Sequence, residues 1–355
     1  MKKSYPQRQA PTLMKAIILS NLKSQISNLF LMKKLFYMSL ALLTAFTSCK
    51  NAEWEFPDYD VQAVYFAYQS PIRTITLGED IFDTSLDNQH KLQIMATMGG
   101  AYSNKNDITI GVAVDNSLAQ GISFASPYSG LVKAMPANYY SLGSDKIVIQ
   151  KGKMVGGVDV QLTDAFFNDP LAVKTTYVIP LKMTSVDKAD SILKQKKYTL
   201  YAVRYINTWD GYYLRRGKDA ITGKNGNTSL NSTVVRHMGV VEKDEVKKLN
   251  TRSLSVIEFP VTFKDAGGTN INRTLLLNFD ANGNCTVSAA DASFTASGNG
   301  KFIKRGEKNS WGNQDRDALY LNYQVELTDR SISSTDTLVM RDRGVKAETF
   351  TPVAN

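Results

Sequence analysis

The stretch RTLLLNF (Arg273 to Phe279), then Asp280-Ala281-Asn282-Gly283-Asn284, then CTVS (Cys285 to Ser288), decides the fold class. Two short apolar runs flank an Asn-Gly pair, and Asn-Gly supplies the positive φ angles that a tight reversal between antiparallel strands needs. The same punctuation recurs outward in both directions. Apolar residues alternate at period two or run in blocks of four to eight, separated by Gly, Asn, Asp and Pro clusters, while helical periodicity is nearly absent. The chain therefore reads as all-β.

Around the hairpin the expected strands are 198–207, 211–216, 233–241, 253–263, 273–279, 285–288, 300–304, 318–327 and 337–340. Their short connections suggest an antiparallel meander, lipocalin-like if it closes into a barrel and otherwise a flattened sandwich. The first half predicts strands at 63–68, 74–77, 90–97, 107–114, 146–149, 157–162 and 176–185, which suit one β-sandwich. Asp164 to Asn168 and Asp187 to Lys194 read as short helices, each opening on an Asp that can cap a first turn. The polar segment from Asp187 to Lys197 carries three lysines in its last four positions and predicts a boundary between domains at 61–197 and 198–355.

Upstream, Met32-Lys33-Lys34 opens a basic stretch, an apolar run from Leu35 to Phe46 follows, and Thr47-Ser48 leads into Cys49. That layout is a bacterial lipoprotein signal. A helix of that apolar run spans ~18 Å, short of a ~30 Å hydrocarbon core, so the segment reads as cleaved and Cys49 as the lipid acceptor. The alternative is a secretory signal without lipidation, because Phe46 stands where lipoprotein signals usually carry Leu. Residues 1–31 have no place in such a signal and read as an over-extended start, with 32–48 the signal peptide and 49–60 a tether. Localisation follows as the outer membrane, lipid-anchored, facing the exterior.

The signal also changes the meaning of the charge. The formal net charge is +9, but residues 1–48 hold seven bases and no acid, so the mature chain of residues 49–355 keeps +2. Its bases are interspersed with acids, which excludes a phosphate-neutralising surface and hence nucleic acid as partner. After Cys49, Glu53, Glu55, Asp58 and Asp60 make an acidic segment, which resembles a Bacteroidetes surface-export signal and reads equally as a solvated tether. Cys285 is the only other thiol. Cysteine-based zinc sites are excluded by count, and Cys285 reads as a small buried thiol.

Several spaced pieces resemble a Bacteroidetes surface-lipoprotein family of unknown function. They are Val64-Tyr65-Phe66 with Gln69, Pro71, Arg73 and Thr74, then Ile147 to Gly152, Leu162-Thr163-Asp164, and Tyr177-Val178-Ile179-Pro180-Leu181. Tyr205-Ile206-Asn207, Gly211-Tyr212-Tyr213 and Trp311-Gly312 resemble the β-rich C-terminal partner domain of the same proteins. The resemblance implies an immunoglobulin-like sandwich ahead of a glycan-binding domain, partnership with outer-membrane glycan importers, and carbohydrate capture at the cell surface. In other members of the family the chain resembles, the sandwich stands in front of an endo-β-N-acetylglucosaminidase barrel. Such a barrel needs about 250 residues of alternating strands and helices, and this chain has none of that pattern.

The catalytic repertoire is narrow. His90 and His237 are the only histidines, and no Gly-x-Ser-x-Gly elbow, calcium loop or phosphate loop is present. Asp210, Asp219, Glu258, Asp315 and Asp317 are the carboxylates that paired-acid glycoside hydrolysis would draw on, each reading equally as a solvated turn residue. No catalytic residue, metal ligand or cofactor is assigned, and a hydrolase ranks third among the readings.

Aromatic placement is more informative. Sugars present apolar C–H faces, so their sites combine flat rings with amides, carboxylates and guanidiniums. Two segments have that mixture: Asn207 to Arg216, with Trp209, Asp210 and Tyr212, and Asn309 to Asp317, with Trp311, Asn313, Asp315 and Arg316. Trp311, in a polar loop without periodic apolar neighbours, is the expected stacking platform, with a loop anchor at the barrel end as its structural alternative. Trp54 reads as tether packing. The expected function is non-catalytic glycan binding; the alternative is an envelope scaffold that binds a protein.

Overall fold

The structure, a computed structural model, describes residues 61–355; the expectations for residues 1–31, 32–48, Cys49, the tether and Trp54 lie outside the described residues. The regular structure of the described chain is mostly strand and forms two bodies, a two-sheet sandwich and a closed barrel.

In the sandwich, one sheet runs in the order Ser191–Ile192, Ala63–Tyr65, Lys91–Gly99, Val155–Leu162, Tyr140–Leu142. The other runs Glu348–Thr349, Pro71–Thr76, Tyr198–Ile206, Tyr177–Asp187, Ile108–Val114, Lys146–Ile149. Alternate residues of both sheets meet in a shared core that includes Val64, Leu92, Ile94, Ile110, Val160, Leu181 and Tyr205. The second sheet is covered on its outer face as well, where Ile72, Val178, Leu200 and Ala202 pack under Phe124, Val132 and Phe350.

That second layer moves the expected boundary. Tyr198–Ile206 does not open the second domain but is an inner strand of the sandwich, antiparallel to Tyr177–Asp187 and parallel to Pro71–Thr76. The lysine-rich segment before it is a turn whose carbonyls are used: Phe66 N–H donates to Lys196 O and Met183 N–H to Lys197 O. The C-terminus also returns to the sandwich, pairing Glu348–Thr349 with Pro71–Ile72 and Pro352–Ala354 with Ile122–Phe124. The helix expected over Asp187 to Lys194 is absent. Lys188 has φ +64°, which breaks a right-handed helix, and Ser191–Ile192 pairs with Ala63–Val64. The other expected helix forms over Asp164–Phe167, with Thr163 rather than Asp164 at its N-cap position.

The barrel runs from Gly211 to Asp342. Its strands are Gly211–Gly223, Glu245–Thr251, Val256–Lys264, Asn270–Phe279, Asn284–Ala289, Thr295–Glu307, Arg316–Glu326 and Arg330–Asp342. The last pairs with the first from Tyr212 opposite Asp342 to Gly223 opposite Arg330, so the meander closes and the flattened-sandwich alternative falls. Ser232–Arg236 pairs on the far half of Gly211–Gly223, beyond Glu245–Thr251. The hairpin at 279–285 forms, with Gly283 alone of the Asn-Gly pair at positive φ (+78°), and Asp280 Oδ1 accepts the N–H groups of Asn282 (2.8 Å) and Asn284 (2.9 Å).

Inward residues fill the barrel with Phe259, Leu275, Leu277, Leu319, Leu321, Val325 and Leu338. One region of the filling is ionic. Arg215 meets Asp336 at 2.8 Å and Tyr323 Oη at 3.0 Å, Tyr323 Oη donates to Asp336 at 2.7 Å, and Arg236 reaches in from Ser232–Arg236 to bridge Asp219 and Asp336.

Candidate functional site

The 308–315 loop joins Thr295–Glu307 to Arg316–Glu326 and turns tightly through left-handed residues, Asn309 (φ +45°), Gly312 (φ +69°) and Asn313 (φ +54°). Asp315 holds the turn by accepting from Asn309 N–H (3.0 Å) and Lys308 Nζ (2.9 Å); the Lys308 hydrogen bond keeps its carboxyl below the usual range. Trp311 is turned back over the barrel end, with its indole Nε1–H donating to Met340 O at 3.0 Å. Arg316 lies over the ring with its guanidinium 3.4 Å from the centroid, and its Nε donates to Trp311 O at 3.1 Å.

Trp311, Asp315 and Arg316 line a cavity of about 510 Å³ whose opposite wall is the sandwich loop Glu79-Asp80-Ile81. The rim is dense in charge, with Lys304, Arg305, Asp317, Arg341 and Asp342. Lys304 donates to Glu79 at 2.7 Å and so depresses the Glu79 carboxyl. Arg343 fixes the two walls. It is 6% exposed and donates to Leu77 O, Glu79 O (3.0 Å) and Asn207 O (2.6 Å), tying the first body to the start of the barrel. Two buried polar atoms at this cavity have no hydrogen-bond partner, Asp80 Oδ2 and Arg343 Nε. Such atoms are costly unless something meets them.

The other expected site residues divide differently. Asp210 and Tyr212 line a smaller cavity of about 230 Å³ that shares Arg343, Gly344 and Val345 with the first. Asp210 is fully engaged there, pairing with Lys248 and accepting from Thr251 N–H (2.6 Å) and Oγ1–H (2.8 Å). Tyr212 keeps one partly exposed face, with Lys248 Nζ 5.1 Å from the ring centre and Gly344 pressed against its edge, where an added Cβ would stand 2.6 Å from Cε2. Trp209 is no platform. Its ring stacks flat on Phe279 at 4.0 Å and 9°, closing the barrel core. Asn313 is exposed and serves the turn rather than lining the cavity.

Glu79, Asp80, Lys304, Arg305, Arg341 and Arg343 escaped the sequence reading, because barrel strand pairing sets Lys304, Arg305 and Arg341 near Trp311, the packing of the sandwich loop adds Glu79 and Asp80, and Arg343 follows the last barrel strand.

The remaining carboxylate candidates are engaged as well: Asp219 with Arg236 and Ser334, Glu258 with Arg252, and Asp317 with Arg305 N–H. A general acid needs a raised pKa, whereas the Lys308 hydrogen bond holds the Asp315 carboxyl below the usual range. His90 stacks on Phe167 at 4.1 Å, and His237 lies exposed beside Met238 O. Cys285 is buried in the barrel, where desolvation pushes its thiol up to about 12. Among the described residues, no group of three or more His, Cys, Asp or Glu is placed to hold a metal.

Comparison with known proteins gives the chain its relatives. A domain of unknown function (DUF5627) matches residues 208–344, and an N-terminal-domain family matches residues 59–190. No curated protein matches. A crystal structure of a Bacteroides ovatus protein of unknown function is 41% identical, covers 84% of this chain and 100% of its own, and superposes with a TM-score of 0.79. A second Bacteroides ovatus protein of unknown function is 13% identical, covers 82% and 99%, and has a TM-score of 0.39. An auxiliary nutrient binding protein from Bacteroides thetaiotaomicron is 13% identical over 76% and 90%, with a TM-score of 0.37. On the strength of the 41% identity over the whole of that solved chain, the protein belongs to the Bacteroides family of unknown function in which a sandwich precedes a DUF5627 barrel.

Proposed function

We propose that the protein is a non-catalytic glycan-binding lipoprotein, anchored through Cys49 in the outer membrane, facing the exterior, and serving an outer-membrane glycan importer. The observation that carries the reading is the cavity of about 510 Å³ between the barrel end and the Glu79-Asp80-Ile81 loop. Two rings line it, Trp311 and the buried Phe302, beside carboxylates and guanidiniums, and Asp80 Oδ2 and Arg343 Nε lack partners. A sugar offers C–H faces to the Trp311 ring and hydroxyls that both donate and accept, which suits a rim of mixed charge. The size is that of a small-ligand pocket.

The test is a glycan array followed by titration calorimetry on the purified protein and on Trp311→Ala. Binding of at least one glycan, weakened by the substitution, is the expected result. An array with no bound glycan, together with a protein partner recovered by crosslinking at the cell surface, would replace the reading with a scaffold.

A further inference from the structure

The barrel carries a second concavity, on its outer wall and away from Trp311. Thr295–Glu307 has two inward-facing glycines where its neighbours in the barrel carry large residues. A Cβ on Gly298 would stand 2.4 Å from Asn322 O and 2.5 Å from Tyr323 Cα, and one on Gly300 would stand 2.4 Å from Leu321 Cδ2. Gly298 also has φ +154°, which side chains disfavour. The wall is therefore free to dip toward the core here. Outside the dip lies a groove of about 640 Å³.

Its floor is set by strand register. Asn278 stands opposite Thr286, Thr286 opposite Asn299, Asn299 opposite Asn322, and Asn322 opposite Thr335. Directly opposed residues share a face, so these side chains form one polar row across five strands, with steps of ~4.8 Å. The side chains of Asn278, Thr286 and Asn299 make no hydrogen bond within the described residues, while Asn322 accepts from Thr335 Oγ1 at 3.0 Å. Beside the row, Lys301 stands opposite Tyr320, whose hydroxyl is tied to Glu307 at 2.7 Å. That bond holds the Tyr320 ring in place at the groove edge.

We infer that this groove is a separate binding face for a neutral oligosaccharide laid across the strands. Each free amide presents a donor and an acceptor together, the pair that vicinal hydroxyls require, and the fixed phenol ring offers a stacking surface. The floor row is uncharged, with Asp280 and Lys301 as the groove's charged lining residues, whereas the other cavity is rimmed by several ion pairs. The ligand class follows the glycan reading above, but the site and its residues are independent of Trp311.

The experiment is affinity electrophoresis of the full chain through gels containing galactomannan, xyloglucan or mixed-linkage β-glucan. Wild type is compared with Asn278→Leu/Asn299→Leu and with Trp311→Ala, and circular dichroism confirms that each variant is folded. Retardation by at least one polymer should persist in Trp311→Ala and weaken at least tenfold in the double variant. Full retention in the double variant, or loss only in Trp311→Ala, overturns the groove and leaves the barrel-end reading standing. Retardation by none of the three overturns the groove as well, and the array decides the barrel end separately. A folded Asn299→Gln variant that restores an amide should recover most of the retardation.

Discussion

The guanidinium of Arg316 lies 3.4 Å from the centre of the Trp311 ring, so one face of the expected stacking platform is already occupied. A sugar must use the opposite face or the edge, and Arg316 becomes the residue that sets the orientation of the indole. Trp311 is thus both things considered for it, an anchor through Met340 O and a wall of the cavity.

Trp311→Ala should therefore cost stability and affinity together. One hydrogen bond and one cation–π contact are lost, which sets a stability loss of about 2 kcal/mol. That is below the ~3 to 5 kcal/mol of a large aromatic removed from a core. Glycan affinity should fall by about 1 to 3 kcal/mol, taking over the range for aromatic stacking on nucleobases. Denaturant unfolding and calorimetry on the same samples check it; an unchanged affinity per folded molecule removes Trp311 from the site.

How far the sequence could be read is clearest at residues 194–206. The apolar run of Tyr198–Ile206 is visible as a strand, but its partners, Pro71–Thr76 and Tyr177–Asp187, are chosen by long-range packing that no local pattern encodes. Lysines at 194, 196 and 197 look like a linker because turns and linkers share a composition. Glu245–Thr251 was missed altogether, since only Leu249 of its seven residues is buried and alternation is lost. In contrast, 280–284 was legible because turn chemistry is local. The candidate site was half legible for the same reason: Trp311, Asp315 and Arg316 are neighbours in the chain, whereas Glu79, Asp80 and Arg343 arrive from elsewhere.

The returning C-terminus should be part of the sandwich's stability. Phe350 is 5% exposed and meets Phe124 with ring centres 4.7 Å apart, and Glu348 pairs with Arg204. Phe350→Ala should cost about 3 to 5 kcal/mol, the usual loss for a buried Phe. Chemical denaturation measures it. A loss below about 1 kcal/mol would show that the C-terminal strands contribute little.

The ionic region inside the barrel should be intolerant of a single cut. Burial alone would raise the Asp336 carboxyl, but Arg215 and Arg236 outweigh it and hold the pKa below the usual range. Asp336→Ala leaves Arg215, 2% exposed, without its principal counter-charge, and should cost about 3 to 5 kcal/mol. The check is the unfolding midpoint of the variant, and a near-neutral result would mean that water or Glu245 takes over.

Anchoring is tested at Cys49. Cys49→Ala should move the protein from membrane to soluble fractions without altering the fold, because the acceptor thiol is gone. Detergent partitioning together with mass spectrometry of the mature N-terminus reads this out. Unchanged partitioning would show that another feature holds the protein to the membrane.

The last prediction concerns acid. Glu326 is hydrogen-bonded by Lys224 and then by Ser331 Oγ, and these partners lower its carboxyl to about 2. A pKa lowered on folding means that the folded state binds the proton less readily than the unfolded chain, so the contribution to stability is present above the unfolded value. It is lost as pH falls from about 4.5 to about 2. Glu326→Gln should accordingly be less stable than the wild type at pH 7, and the gap between the two should shrink through that window and close near its lower end. Urea unfolding of both proteins at intervals from pH 7 to pH 2 tests this, and a gap independent of pH would show that the Lys224 contact contributes through packing rather than charge.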